Sequence, residues 1–358
     1  MNKQSRKFLY DLLLTPSPSG FEAPIQRVVK SYINKYADNV RLDVHGNFIA
    51  CANPKGTVRV MLAGHCDQIG MMITHIDDRG FIYFNQIGGI DPSVVPGSYV
   101  QIHTARGVVE GVIGYKPVHL MTAEERGKKT ELKKLWIDIG VADGKEANKY
   151  VSIGDPVTYK LGVQELGENR IGAPACDDKV GVFVVMESLR MFSEMISKRR
   201  RHDVALYAVS TVQEEIGQRG ARTSCFGLDP HIGIAVDVSH ASDNPGAEAR
   251  EIGSVKLGSG PTVPRGANFN HLLVKHITET AKNKRIKYQP HFAPNGTGTD
   301  ANAIQISRSG VATALLGIPN RYMHTQVELV DLRDLEYAAR LIAFSVFDLS
   351  AHKRFIPS

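Results

Sequence analysis

Residues 177–215 read DDKVGVFVVMESLRMFSEMISKRRRHDVALYAVSTVQEE. The first part carries apolar residues at helical spacing, and the last part is an apolar run of strand length. A carboxylate pair stands at each end, Asp177-Asp178 opening the helix and Glu214-Glu215 lying just beyond the strand. Adjacent carboxylates repel each other, so a fold places them beside core elements where a cation or a proton-transfer task holds them. A helix leading into a core strand is also half of an α/β layer unit.

The alternation continues on both sides. Downstream come a strand at HIGIAVDV (231–238), a helix near 267–282, a strand near 286–292, the turn-rich NGTGTD (295–300) and an apolar strand VATALLGI (311–318). DLRDLEYAARLIAFSVFDLSAHK (331–353) reads as a long amphipathic helix. Upstream, amphipathic patterns at about residues 4–14 and 22–36 flank TPSPSG, and two strand-like runs follow, GNFIACA and TVRVMLAGH, the second ending at His65. Between residues 70 and 166 the texture changes. MMITHI, FIYFNQI, YVQIHT, VVEGVIG, LWIDIG and PVTYK are short β-rich pieces between Gly, Pro and Asp turns. They predict a small antiparallel barrel or sandwich, with KPVHLMTAEERGKKTELKK as an exposed charged loop. The expected architecture is a three-layer α/β domain built from residues 1–69 and 167–358, carrying residues 70–166 as an inserted β-barrel domain.

A length of 358 residues agrees with two domains. The opening MNKQSRKFLYDLLLTPSPSG lacks a small-residue cleavage site and reads as an amphipathic helix rather than a signal peptide. No run approaches the roughly 18 apolar residues of a membrane span. Cys51, Cys66, Cys176 and Cys225 show no paired spacing, so a reduced, cytoplasmic protein is expected. The net charge of +6 raises the question of nucleic acid, and basic residues cluster at Lys198-Arg199-Arg200-Arg201 and from Lys282 to Lys287. Each cluster ends a helical pattern, where cations complement the helix dipole, and no aromatic residues interleave. A solvated surface is therefore expected and a nucleic-acid partner is not, while attraction for acidic peptides stays open.

The candidate site residues fall at strand ends. His65 and Asp67 close TVRVMLAG, Glu214 and Glu215 close DVALYAVSTV, Asp237 closes IGIAV, and His324 follows VATALLGI in RYMHT. Open α/β sheets bind ligands beyond the carboxyl ends of their strands. Each residue also has an ordinary reading: His-x-Asp as a hydrogen-bonded pair, Asp177-Asp178 as a helix cap, the glutamates as a solvated turn, His324 as a structural histidine. One Asp suffices for a cap, which leaves the other free to bridge two cations. Together the set supplies the nitrogen and oxygen donors of a two-metal hydrolase, with a glutamate to spare as general base. His75, His103, His119, His240 and His291 lack this placement, although His240 lies close to Asp237.

SPSGFE, GHCDQIGMM, GVIGYKPVH, LWIDIG, PACDDKVG, VQEEIGQRGA, AVDVSHASDNPG, GTGTDANAIQ and RYMHTQVELV occur in this order along nearly the whole chain. With these motifs the chain resembles the M42 metalloaminopeptidases of the di-zinc exopeptidase superfamily. The resemblance implies a zinc-peptidase fold of the phosphorylase/hydrolase-like kind, its inserted β-barrel domain serving dimerisation. It implies one metal held by His65, Asp177 and Asp237, and a second held by Asp177, Glu215 and His324. Glu214 would be the general base, Asp67 would orient His65, and the Asp177-Asp178 peptide would be cis. It further implies two divalent cations per subunit (zinc, or cobalt or manganese), peptide substrates, and homo-oligomers, with dimers building a tetrahedral dodecamer. Gln68 stands where relatives commonly carry a glutamate, and Cys176 where an aliphatic residue is usual. The alternatives are a deacylase or carboxypeptidase of the same superfamily, an endoglucanase-labelled relative, and a non-catalytic peptide-binding assembly.

Overall fold

Strand formation follows the apolar runs closely. In chain order the strands are β1 (Asn39–Leu42), β2 (Phe48–Ala52), β3 (Val58–His65), β4 (Gly70–Ile76), β5 (Ile82–Ile87), β6 (Tyr99–Thr104), β7 (Gly107–Gly114), β8 (Trp136–Asp138) and β9 (Pro156–Tyr159). They continue as β10 (Gln164–Leu166), β11 (Arg170–Ala173), β12 (Val204–Thr211), β13 (Ile232–His240), β14 (Thr262–Gly266), β15 (Gln289–Ala293), β16 (Ala312–Asn320) and β17 (Glu328–Asp331). The structure, a computed structural model, describes residues 1–199, 201–352 and 355–357. Arg200 of the first basic cluster and Lys353 of the terminal stretch lie outside the described residues.

Eight strands form one mixed sheet in the order β1-β2-β12-β3-β13-β16-β14-β15. Its centre, β12-β3-β13-β16, is parallel throughout. Such strands are covered on both faces, which is why VALYAVST and IGIAV are apolar runs rather than alternating ones. Register shows the two covers directly. Gly233 pairs with Met61, so odd positions of β3 share its face and Gly64 faces the other way. A methyl group on Gly64 would lie 2.7 Å from the backbone of Gly181, in the helix Cys176–Ile196. One on Gly233 would strike Ile304, in the helix Asp300–Gln305. Helices on opposite faces of a central sheet give the expected three layers.

β4 to β9 close a separate six-stranded barrel in the order β4-β5-β8-β7-β6-β9. It has its own apolar filling, including Ile73, Phe84, Val100, Ile102, Ile137 and Val157, apart from the core around the large sheet. The third sheet, β10-β11-β17, is antiparallel and lies where the chain returns from the barrel.

The terminal helix spans Leu332–Phe347, shorter than the apolar pattern predicts at both ends. The helix Arg219–Leu228 was not legible, because RGARTSCFGL mixes Gly, Thr and Ser with few apolar residues. The charged segment 116–134 is not wholly irregular. It holds a one-turn helix, Ala123–Arg126, closed by a capping box between Thr122 and Glu125. Among the described residues, no helix is long and apolar enough to cross a membrane. All four cysteines are buried and unpaired.

Candidate active site

The carboxyl ends of the parallel strands open on a cavity of about 790 Å³ lined by His65, Asp177, Glu214, Glu215, Asp237 and His324. β3 delivers His65 as its last residue. β12 stops at Thr211, and the chain turns through Gln213, at φ 56°, to bring in Glu214 and Glu215. β13 continues to His240, so Asp237 sits within the strand and not at its end, as the sequence had implied. His324 follows β16 and adopts φ 61°, in the left-handed region. Asp177 enters at the start of the helix Cys176–Ile196, where Asp177 and Asp178 are non-helical and joined by a cis peptide. Asp178 is the cap: one carboxylate oxygen accepts from Gly181 N (3.1 Å) and the other from His65 N (3.3 Å).

Asp177 lies at the centre. Its Oδ1 is 3.2 Å from His65 Nε2 and its Oδ2 is 3.2 Å from His324 Nε2. Asp237 Oδ1 approaches His65 Nε2 at 3.9 Å, and Glu215 Oε2 approaches His324 Nε2 at 3.6 Å. The result is two groups sharing one aspartate, His65–Asp177–Asp237 and Asp177–Glu215–His324, each with donor atoms within 4.8 Å of one another. Glu214 belongs to neither group, but its Oε2 is 4.0 Å from His65 Nε2. Six of the site residues singled out in the sequence thus line one cavity, and the seventh, Asp67, is not among its lining residues.

The donor set fits divalent cations. Glu214 Oε1 and Glu215 Oε1 are buried without a hydrogen-bond partner, a costly state for a carboxylate unless positive charge faces it. Burial pushes the Glu214 carboxyl up to about 10 and Asp237 up to about 8, helped by neighbouring carboxylates. Glu215 is raised well above its ordinary value for the same reasons, burial first. Asp177 goes the other way. Its burial is overridden by hydrogen bonds with His324 and His65, which hold its carboxyl below the usual range. Mixed nitrogen and oxygen donors of this kind suit zinc, cobalt or manganese.

Asp67 meets His65 chiefly through its main chain. His65 Nδ1 is 3.0 Å from the main-chain carbonyl of Asp67, while the nearer carboxylate oxygen is 3.6 Å away. The carboxylate instead accepts from Glu214 N (2.9 Å), Glu215 N (3.2 Å) and Ser19 Oγ (2.7 Å). It therefore fixes the main chain of both glutamates. The turn at residues 17–22 completes this support. Ser17 Oγ donates to Cys66 O (2.7 Å), and Glu22 Oε1 accepts from Gln213 N (3.2 Å).

Glu328 was missed by sequence reasoning. It is 1% exposed, and its two oxygens accept from Asp177 N and His324 N, each at 2.8 Å. A glutamate opening the short strand ELVD, with no metal-type spacing pattern, gave no signal. Asp300, buried and bonded to Thr211 Oγ1 at 2.6 Å, was also missed. His240 and His291 line the same cavity. Gln68 Oε1 accepts from the buried Lys179 Nζ at 2.7 Å, so an amide stands opposite an ammonium whose pKa burial lowers to about 7. Cys176 is fully buried, and burial raises its thiol well above the ordinary value, which suits a filler and not a reactive thiol.

The sequence profile of the family described as M42 glutamyl aminopeptidase matches residues 46–341. This chain belongs to that family. Among M42 relatives, the lysyl aminopeptidase of Pyrococcus furiosus is 37% identical over 334 residues, covering 92% of this chain and 93% of the relative. A TET aminopeptidase from the marine sediment archaeon Thaumarchaeota archaeon SCGC AB-539-E09 superposes with a TM-score of 0.91 at 32% identity, covering 97% of both chains. The dodecameric PhTET1-12s superposes with a TM-score of 0.84 at 29% identity, covering 98% of this chain and 100% of that one. The chain is an M42 aminopeptidase with the zinc-peptidase fold, as its sequence motifs implied.

Proposed function

We propose that this aminopeptidase uses two divalent cations to release N-terminal residues from peptides, with Glu214 as its general base. His65, Asp177 and Asp237 would hold one cation, and Asp177, Glu215 and His324 the other. The observation that carries this reading is the shared aspartate, with one oxygen turned toward each histidine at 3.2 Å. The cations, zinc foremost and cobalt or manganese as substitutes, would polarise the scissile carbonyl and bring the pKa of a water toward about 7.

The chain's own residues do the rest. Glu214 stands beside the donor cluster without belonging to it, so its carboxylate is free to take the proton of the attacking water. The same carboxyl then gives that proton to the leaving amine. Asp67 keeps Glu214 in reach by holding its main-chain amide. Glu328 fixes the shared aspartate and His324 together. We take residues 70–166 as the inserted domain and assign it to subunit contacts in a homo-oligomer, a reading supported by the dodecameric relative. A cytoplasmic location agrees with four unpaired cysteines.

Glu214→Gln tests the proposal. Turnover of aminoacyl anilides should fall at least about a thousandfold while two bound cations per chain remain, measured by elemental analysis. Full activity in the variant overturns the base assignment. Chelation should abolish wild-type activity and added zinc or cobalt restore it; activity that survives complete chelation overturns the two-cation reading.

A further inference from the structure

A second cavity, of about 880 Å³, shares no lining residue with the active site. It lies between the body of the large sheet and the barrel. Pro18, Phe21 and Phe48 line it from the first, Thr104 of β6 and Pro156 of β9 from the second. A concave junction with apolar walls and a few convergent polar groups is the usual form of a small-molecule site.

The helix Ala23–Ile33 supplies one wall. Ala23, Gln26, Arg27 and Lys30 line the cavity at the spacing of a single helix face. Gln26 is 3% exposed, and its Nε2 donates to Gly46 O and Ser210 O, each at 3.0 Å. Turning the amide over would set its oxygen against two carbonyls, so Oε1 is left buried with no partner. Arg27 and Lys30 are exposed and form no ion pair among the described residues. Phe21 and Leu42 line the same cavity and expose 37% and 58% of their surface.

Glu22 completes the lining on this side. Its carboxylate is buried, and the hydrogen bonds from Gly20 N (2.8 Å) and Gln213 N (3.2 Å) both fall on Oε1, which leaves Oε2 the freer oxygen. Burial raises this carboxyl to about 7, as in an acid short of positive charge. The polar groups of the barrel side are engaged elsewhere. His103 Nε2 meets Thr158 Oγ1 at 2.8 Å, and Asp155 Oδ2 accepts from Ser152 N at 2.8 Å.

The cavity thus offers unmet acceptors at Glu22 and Gln26, unpaired cations at Arg27 and Lys30, and an apolar wall. A primary ammonium answers the first, a carboxylate the second and an aliphatic side chain the third. An α-amino acid carries all three in one small molecule, and it is what an aminopeptidase releases. We propose that this cavity binds a free α-amino acid with an apolar side chain, and that its occupant acts on turnover through Glu22 and Gln213, the residue before Glu214. The effect on turnover rests on Glu214 as general base; the binding does not.

The test uses the cation-loaded, full-length protein, L-leucine as the probe and an aminoacyl p-nitroanilide that the enzyme turns over. Leucine should change kcat at least about twofold. In the double variant Arg27→Glu/Lys30→Glu the same response should need at least about tenfold more leucine. N-acetyl-L-leucine, which lacks the ammonium, and 3-methylbutylamine, which lacks the carboxylate, should each be at least about tenfold weaker than leucine. Leucine that raises KM and leaves kcat level is product held in the active site, and it overturns the proposal. So does a kcat response that the double variant keeps at the same leucine concentration. If the double variant does not fold, the two analogues decide, and potency equal to that of leucine overturns the site. Calorimetry separates this proposal from the mechanism. Leucine binding that the double substitution abolishes keeps the site even where Glu214→Gln retains full activity and the base assignment falls. Absence of such binding removes the site alone.

Discussion

Glu328 offers the sharpest quantitative test of how the site is held. One oxygen accepts from the amide of Asp177 and the other from the amide of His324, both at 2.8 Å and out of contact with water. Glu328→Gln keeps the volume but turns one acceptor into a donor, so one of the two amides faces another N–H. A buried donor left without a partner costs about 1–3 kcal/mol. His324 already sits at φ 61°, a region a histidine enters only with local support, so the cost falls readily on that side of the site. Converted at about 1.4 kcal/mol per decade, the expected loss of affinity for the second cation is roughly five- to 150-fold. Glu328→Ala orphans both amides, and the cost doubles to about 2–6 kcal/mol. The assay is cation content after dialysis against a graded zinc buffer, read beside urea unfolding. Glu328→Gln that retains both cations at wild-type affinity, with kcat within twofold, refutes the reasoning.

Three further outcomes are expected. With its cations removed, the protein should lose stability between about pH 6 and pH 9 in thermal melts. Burial raises Asp237 and Glu328 to about 8 and Glu214 to about 10, so the folded state holds more protons than the unfolded one across that window. A flat profile for the cation-free protein contradicts this. Asp243 behaves oppositely: burial raises its carboxyl, but hydrogen bonds from Arg321 and Leu257 N and the Arg321 charge together outweigh it, so the pKa is lowered. Asp243→Asn should therefore cost roughly 1.5–3 kcal/mol near neutral pH, a deficit that disappears as pH falls through the folded-state pKa of Asp243, as seen in parallel denaturant titrations. Finally, Gly64→Ala should destabilise by about 1–3 kcal/mol, since the added carbon meets main chain of the helix at 2.7 Å; an unchanged unfolding midpoint counts against that close packing.

Much of the fold was written in hydrophobic pattern. Apolar runs of strand length marked β3, β12, β13 and β16, and residues with cation-binding chemistry stood beside their ends. The strand next to one edge of the sheet was less visible, because β14 contains Pro264 and Gly266 and looks like loop. Site residues with paired or strand-end placement were legible, whereas those that act through the main chain were not. Glu328 contacts two amides from distant segments, and no spacing in the sequence records that. The resemblance paired Asp67 with His65, yet the hydrogen bonds of its carboxylate go mainly to Glu214 and Glu215, nearly 150 positions away. Local sequence shows which groups are available, and tertiary contacts decide whom they serve.

The turn at Ser17–Glu22 has a practical meaning for anyone scanning this enzyme by mutation. Ser19 shares the Asp67 carboxylate with the backbone of Glu214, the proposed general base, and Glu22 steadies the residue just before it. Inactive variants should therefore turn up in a stretch that touches neither cation nor peptide. Such variants would keep their fold and their loading and still fail, because the proton carrier would have lost its footing.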